Sequence, residues 1–279
     1  MLFDSHAHLN FQGFAADREA VILRTLAAGM RVVNVGSQLP TSRMALELAQ
    51  KYPGLYASLG LHPIHVTDSE VDHEEAIVEE KAKLSAAEVI KEFKKMLPNE
   101  KIVAIGETGL DYFHLQSDLE SAKKIQSEVF LQHLQLAKDF DLPVIIHVRG
   151  AKDNPSKAYQ DLISLVKGFG EIRGVVHCFT ADWSLAEIFL NLNLSLGFTG
   201  VITFSKTDKL QAVIKNISAE KMLIETDAPY LAPEPFRGQR NEPLHVEFVA
   251  KKVAELKELE LAQVVAQTWQ NANQLFKLK

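Results

Sequence analysis

The sequence predicts an α/β fold of eight parallel strands, either closed into a barrel or arranged as a doubly wound sheet. Two observations support this class. Short apolar segments alternate along the chain with longer amphipathic ones, which is the pattern of parallel strands joined by crossover helices. Several of the short segments, such as 32–35 and 144–146, are almost continuously apolar, as expected of strands that are covered on both faces.

Each predicted element has a local signal. The strand candidates, in order, are Leu2 to His8, Arg31 to Gly36, Leu55 to Leu61, Ile102 to Glu107, Val144 to Val148, Gly174 to Cys178, Leu194 to Phe198 and Met222 to Thr226. Between them, Asp17 can cap a helix that ends near Gly29, and Pro40 opens a second helix. The longest helix is predicted over 117–140, and two more over 244–257 and 261–276 complete the outer layer.

One domain is expected over residues 1–279, since α/β barrels often run to about 250 residues as a single domain. The connection near 67–100 is longer than a simple link between strands, and it is rich in Glu and Lys. Helical spacing at Val89, Phe93 and Met96 indicates an insertion of one or two surface helices. Such a charge run is usually a solvated face, and a partner-binding site is the alternative.

Composition excludes several classes of protein. The first residues lack a basic stretch followed by an apolar run, and no apolar run approaches the roughly 20 residues of a membrane span. Cys178 is the only cysteine, which excludes an internal disulfide and favours the cytoplasm. The net charge of -6 and the pI near 5.9 argue against a broad basic surface that coats nucleic acid. We therefore expect a cytoplasmic protein, monomeric or weakly associating, with no membrane partner.

Six residues of metal-ligand type fall at the ends of predicted strands. His6 and His8 are two residues apart, so both side chains point to one face of their strand; by itself this spacing would also fit a polar strand end. The set is completed by Glu107, His147, His177 and Asp227. Barrel enzymes place their chemistry at the carboxyl ends of the strands, so the six residues are predicted to form one site.

Four imidazoles and two carboxylates exceed the four ligands of a structural zinc site. Two divalent metals fit better, with Glu107 as the bridge, His6, His8 and Asp227 on one ion, and His147 and His177 on the other. Such a pair activates water for hydrolysis. The mixed nitrogen and oxygen donors suit Mg, Mn or Zn and do not select among them.

With these residues in place, the sequence resembles the TatD family of metal-dependent deoxyribonucleases, within the amidohydrolase superfamily. The resemblance covers essentially the whole chain and rests on seven blocks in order, which are 4–9, 60–63, 105–112, 143–147, 177–180, 225–231 and 240–243. It implies a TIM-type (β/α)8 barrel and two divalent metals on the six residues above. It also implies hydrolysis of phosphodiester bonds in a DNA substrate, either as an exonuclease or as a general phosphodiesterase, and the exonuclease is the activity we expect.

Three features depart from the family pattern. Thr108 stands where an apolar residue is usual, Gly150 follows Arg149 where an acidic residue is common, and the segment 67–100 is extended. None of the three falls on a predicted ligand. They therefore bear on substrate preference and not on metal binding.

Further residues have predicted roles around the metals. Glu107, as the bridge, and Asp227, as the acceptor of the water proton, are the predicted catalytic residues. The predicted substrate-binding residues, which suit phosphate oxygens, are His62, Arg149, Arg237 and Arg240.

Other residues near the strand ends are open to two interpretations. The aromatic side chains at 112, 113, 179, 230 and 236 could stack on bases or simply pack the rim. Cys178 alternates away from His177 and is interpreted as a core thiol. His73, His114, His133 and His245 are interpreted as ordinary structural residues.

Two other functions compete with the deoxyribonuclease. One is a related hydrolase acting on a small amide, lactone or phosphoester, because one barrel supports many chemistries. The other is a noncatalytic scaffold that binds a partner through the insertion. The complete set of six ligand-type residues argues against the scaffold, which has no need of a water-activating site.

Overall fold

The computed structural model describes residues 1–67, 74–75, 84–115, 119–205 and 207–278. Its eight parallel strands pair in chain order from first to last. The ring is completed where Ala7, at the end of the first strand, pairs with Ala228 beyond the last, and His8 N–H donates to Ala228 O at 2.7 Å. The fold is therefore the predicted TIM-type (β/α)8 barrel and not a doubly wound sheet, whose strand order would reverse at its middle.

All eight predicted strands are present. They are β1 (Phe3–Ala7), β2 (Arg31–Val35), β3 (Leu55–Leu59), β4 (Ile102–Asp111), β5 (Val144–Arg149), β6 (Gly174–Val176), β7 (Leu194–Phe198) and β8 (Met222–Ile224). Strand β4 continues past its predicted end at Glu107, through a register shift against β5 between Ile105 and Thr108. Strands β6 and β8 end early, and Cys178 and Asp227 just beyond them have positive φ angles of 45° and 57°, which extended backbone does not allow.

The helices are α1 (Arg18–Ala27), α2 (Leu39–Lys51), α3 (Ala86–Met96), α4 (Leu119–Asp139), α5 (Lys157–Phe169), α6 (Trp183–Asn191), α7 (Val201–Phe204), α8 (Asp208–Asn216), α9 (Val246–Lys257) and α10 (Leu261–Leu275). Asp17 and Pro40 stand at helix starts as predicted. Residues 117 and 118 of the predicted longest helix lie outside the described residues. None of the described helices combines the length and apolar character that crossing a membrane requires.

The predicted insertion is described in part. Its second half contains α3, at whose start the Ser85 hydroxyl accepts a hydrogen bond from Glu88 N–H, while Ser85 N–H donates one to the Glu88 carboxylate. This reciprocal cap is typical of helix starts. Val89 and Phe93 are buried on its inner face, as their spacing predicts. Residues 68–73, with His73, and 76–83 lie outside the described residues, so the number of inserted helices stays a prediction.

Apolar side chains close the amino-terminal end of the barrel. Phe3 at the start of β1 stacks on Phe276 with ring centroids 6.1 Å apart, and it meets the edge of Trp269 from α10 at 5.8 Å. Val103 and Ile145 from neighbouring strands belong to the same buried cluster. This end of the barrel is therefore filled, and the polar side chains gather at the carboxyl end of the strands.

Candidate metal-dependent active site

A cavity of about 720 Å³ opens at the carboxyl ends of the strands. Five of the six predicted metal ligands line it, and they are His8, Glu107, His147, His177 and Asp227. His6 lies directly beneath them and is fully buried. The structure thus brings together all six side chains that were predicted as metal ligands from their position at the strand ends.

The first group of donors joins β1 to β8. Nε2 of His6 lies 3.0 Å from Nε2 of His8, and both nitrogens are 3.5 Å from Oδ1 of Asp227. Asp227 N–H donates to His6 O at 2.9 Å, so the backbone holds the carboxylate against the histidine pair. This group offers two imidazole nitrogens and one carboxylate oxygen, which are donor atoms that can coordinate Zn or Mn.

Glu107 lies between this group and a second one. Its Oε1 is 2.8 Å from Nε2 of His177 and 3.0 Å from Nδ1 of His147. Its Oε2 turns the other way and lies 3.4 Å from Nε2 of His6 and 3.7 Å from Nε2 of His8. The two oxygens of one carboxylate therefore face two separate sets of histidines, which is the arrangement that a bridging ligand requires.

Hydrogen bonds orient the rings for metal binding. Nδ1–H of His8 donates to Val35 O at 2.9 Å, which leaves Nε2 with a lone pair toward the site. Nε2–H of His147 donates to Asp111 Oδ2 at 3.0 Å, which leaves Nδ1 toward Glu107. A ring nitrogen fixed by a carbonyl or carboxylate behind it is the usual support of a metal-binding histidine, so the residues present fit a metal.

Asp111 is a supporting residue without a sequence-based assignment. Its Oδ1 accepts hydrogen bonds from the N–H groups of Phe113 and His114 at 2.9 and 3.0 Å, and its Oδ2 lies 2.9 Å from Nδ1 of His114. His114 also lines the cavity, and its interpretation as an ordinary structural residue stays a prediction. The missed signal was the alternation itself, because Asp111 lies on the same face of β4 as Glu107 once the strand continues past its predicted end.

Glu225 is a second supporting residue. The side chain is fully buried beyond β8, where it accepts hydrogen bonds from Cys178 N–H at 2.6 Å and Ser5 Oγ–H at 3.1 Å. Its Oε1 lies 3.6 Å from Nδ1 of His177. Gly197 on β7 makes room for it, since a Cβ there would lie 2.4 Å from the Glu225 carboxylate.

The carboxylates create an electrostatic field that favours positive charge at this point. Burial by itself would lower the pKa of His177, but Glu107, Glu225 and Asp227 together outweigh burial and hold that pKa well above 6.5. Burial would raise the pKa of Glu107, but His177 and the neighbouring histidines hold it well below its usual range. The carboxylates stabilise either protons on these histidines or a metal cation bound to them. Metal binding here is therefore coupled to proton release.

The predicted substrate-binding residues occupy different places. His62 precedes a 3₁₀ turn (Pro63–His65), and its Nδ1 accepts from Ile64 N–H at 3.2 Å. Its Nε2 lies 3.6 Å from Glu107 Oε1, and burial, with His147 second, lowers its pKa well below 6.5. His62 is thus a neutral ring with an N–H donor in the cavity. Arg149 ends β5, is exposed and also lines the cavity.

The other two arginines lie apart from the cavity-lining residues of the described chain. Arg237 stacks on Phe204, with its guanidinium carbon 3.5 Å from the ring centroid. Arg240 forms two hydrogen bonds of 2.7 Å with Asp17 and donates to Gly13 O. The structure therefore does not bring them to the metal ligands, and their contact with substrate stays a prediction.

Cys178 and the aromatic residues complete the rim. Cys178 lines the cavity, because β6 ends at Val176 and the positive φ of Cys178 breaks the alternation that would turn it toward the helices. The expected position in the core is therefore wrong. Burial raises the pKa of its thiol to about 12, so it stays protonated. Tyr112 and Phe179 are buried and pack the rim, while Tyr230 lines the cavity.

The fold and this site define a metal-dependent hydrolase on a TIM-type barrel. The family model described as TatD related DNase matches residues 3–277, and the chain belongs to the TatD family. It is similar to the uncharacterized metal-dependent hydrolase YabD of Bacillus subtilis, with 39% identity covering 100% of both chains.

Solved structures agree with this assignment. The crystal structure of YJJV, a TatD homolog from Escherichia coli, superposes with a TM-score of 0.83 at 30% identity, covering 100% of this chain and 98% of that chain. A TatD family hydrolase from Entamoeba histolytica superposes with a TM-score of 0.79 at 25% identity, covering 98% and 97%.

Proposed function

We propose that this chain hydrolyses phosphodiester bonds of DNA as an exonuclease, with two divalent metal ions held by the six residues above. The observation that carries the proposal is the position of Glu107, whose two oxygens face two separate histidine groups. The description of the matching family as a DNase supports DNA as the substrate. All of the proposed ligands come from one chain, so we also propose that the protein acts as a monomer.

Metal ions bound here would supply Lewis-acid activation of a water molecule and would neutralise charge that grows on the phosphate. Asp227 is the proposed general base. Burial would raise the pKa of Asp227, but the hydrogen bond from His8 and the charges of the neighbouring histidines together outweigh burial and lower it. The carboxylate is therefore ionised at neutral pH, lines the cavity and can accept the proton of the attacking water.

His62 and Arg149 are the proposed phosphate contacts. Nδ1 of His62 is engaged by Ile64 N–H, so the neutral ring carries its proton on Nε2 and presents a donor to a phosphate oxygen. Arg149 presents a guanidinium from the end of β5 on the same cavity, and its fork of N–H groups suits phosphate oxygens. Together they would hold the substrate in place while Asp227 takes the proton.

The test compares turnover on end-labelled single-stranded and duplex DNA with turnover on a panel of amides, lactones and small phosphoesters. Each substrate is assayed with Mg, Mn or Zn and again with a chelator. The proposal expects stepwise release of terminal nucleotides that stops when the metal is chelated. Turnover of a lactone or amide without cleavage of DNA would overturn it in favour of the small-molecule hydrolase.

A further inference from the structure

Two cations beside the cavity, Arg149 and Lys152, have no carboxylate partner among the residues that the structure describes. Several other arginines of the chain form ion pairs with carboxylates, as Arg24 does with Glu242 and Arg240 does with Asp17. Within the described ranges, neither Arg149 nor Lys152 forms an ion pair with a carboxylate. Each of them instead contacts an aromatic ring. Their positive charge therefore remains available to an external anion.

Both cations share the ring of Phe113. The guanidinium carbon of Arg149 lies 3.8 Å from the ring centroid, and Nζ of Lys152 lies 5.0 Å from it. A ring face attracts cations without cancelling their charge. Both positive charges thus lie within 5.0 Å of one ring centroid, and an anion in contact with both would lower their mutual repulsion.

This cluster is connected to the candidate active site. Phe113 N–H donates to Asp111 Oδ1 at 2.9 Å, while the other oxygen of Asp111 accepts from His147 at 3.0 Å. One carboxylate therefore positions both a proposed metal ligand and the ring under the two cations. A phosphate on the cluster would be held at a defined position relative to the metal ligands.

The loop after β5 carries Lys152 and, next to it, Asp153. At Gly150, a Cβ would lie 1.9 Å from Pro155 O, so the backbone approaches more closely than any side chain would allow. Asn154 N–H closes a turn onto Ala151 O at 3.2 Å. The loop is compact, and Lys152 projects from its middle.

Other charges on the cavity wall are already matched within the protein. Glu75 accepts hydrogen bonds from His65 Nε2 at 2.8 Å and from the Ser37 hydroxyl. Lys209 lies near Asp182 and stabilises its negative charge. Arg149, which has no carboxylate partner among the described residues, lies on the side of the cavity formed by β5.

We infer that Arg149 and Lys152, held on Phe113, form a second phosphate subsite for the strand that continues beyond the cleaved bond. The inference rests on the proposed phosphodiesterase function and goes further. Such a subsite would favour oligonucleotides over diesters with a single phosphate. Arg149 lines the cavity and Lys152 does not, which places the subsite at the rim.

The test measures kcat and KM of the metal-loaded protein on a short single-stranded oligonucleotide and on bis(p-nitrophenyl) phosphate, which has one phosphate. Lys152→Ala is expected to raise KM for the oligonucleotide about tenfold with kcat little changed, since a charge-assisted contact is lost. The slope of log kcat/KM against log salt concentration should become shallower by about 0.7, which is the contribution of one phosphate contact on a single strand. Lys152→Arg should restore both values.

Lys91→Ala is the matched control, since Lys91 is an exposed lysine on α3, and it should change neither substrate. An unchanged oligonucleotide KM in Lys152→Ala, or an equal loss on both substrates, would overturn the subsite while leaving the phosphodiesterase function intact. Failure of the unaltered protein to cleave either diester would instead refute the proposed function, and the subsite with it.

Discussion

Replacing Asp111 by asparagine tests how the site holds its metal. In the protein, Nε2–H of His147 donates to Oδ2 of Asp111, and the opposite nitrogen faces Glu107. Asparagine keeps an amide oxygen that can still accept from the N–H groups of Phe113 and His114. Its NH₂ group, however, is a donor toward His147, so the ring is driven to the tautomer whose proton points into the metal site.

The expected loss follows from that single contact. Removing a carboxylate that supports a metal-binding histidine typically weakens metal affinity about 10- to 100-fold, which corresponds to about 1.4 to 2.8 kcal/mol. Folding should be little affected, because asparagine retains the acceptor for the loop that follows β4. The weakened ion should be the one held by His147 and His177, while the group at His6 and His8 keeps its own.

Calorimetric titration of metal-free protein with Mn or Zn measures this loss. Asp139→Asn is the control, because that exposed carboxylate on α4 lies 3.8 Å from Lys94 and lines no part of the cavity. Asp111→Asn should show one weakened binding step at an unchanged melting temperature. If Asp111→Asn weakened metal affinity by less than about threefold, the loss would fall short of the expected range, and the supporting role would be refuted.

Three further predictions concern other parts of the molecule. Burial lowers the pKa of His133 from 6.5 to about 4, so between pH 6.5 and pH 4 the unfolded chain binds more protons than the folded protein. The free energy of unfolding should therefore fall by about 3 kcal/mol as the pH drops through this range. Denaturant unfolding should show a flatter pH dependence in His133→Gln; an unchanged one would contradict the reasoning. Gly197→Ala should cost on the order of 1 to 3 kcal/mol in thermal melts, because its Cβ would meet Glu225, and an unchanged melting temperature would contradict it. Asp227→Asn should lower turnover at least about a hundredfold at saturating metal, and near-normal turnover in a pH-rate profile would refute the base role.

The strand ends could be predicted from the sequence for a physical reason. Parallel strands packed on both faces are apolar almost throughout, so a polar residue of ligand type marks where each strand leaves the core. Alternation then assigns the side chain to one face, as with His6 and His8. Closing the barrel brings these ends together, and the cavity is accordingly lined by five of the six predicted residues, with His6 buried beneath them.

Other parts of the site depended on backbone geometry that a pattern does not encode. Strand β4 continues through a register shift to Asp111, and the pattern that predicts its end at Glu107 gives no sign of that shift; once the longer strand is known, alternation assigns Asp111 to the face of Glu107. The positive φ of Cys178 turns its side chain to the cavity against the simple alternation. Arg240 lies in the long connection after β8, where a tertiary contact with Asp17 determines its position.

The central claim is that this chain needs bound divalent metal to cleave DNA. The direct measurement is turnover of end-labelled single-stranded DNA as metal-free protein is titrated with Mn, with bound metal quantified in the same samples. The proposed two-metal site predicts no turnover without metal and a plateau at about two ions per chain. Full turnover in the chelated protein, or no cleavage of DNA when both ions are bound, would contradict it.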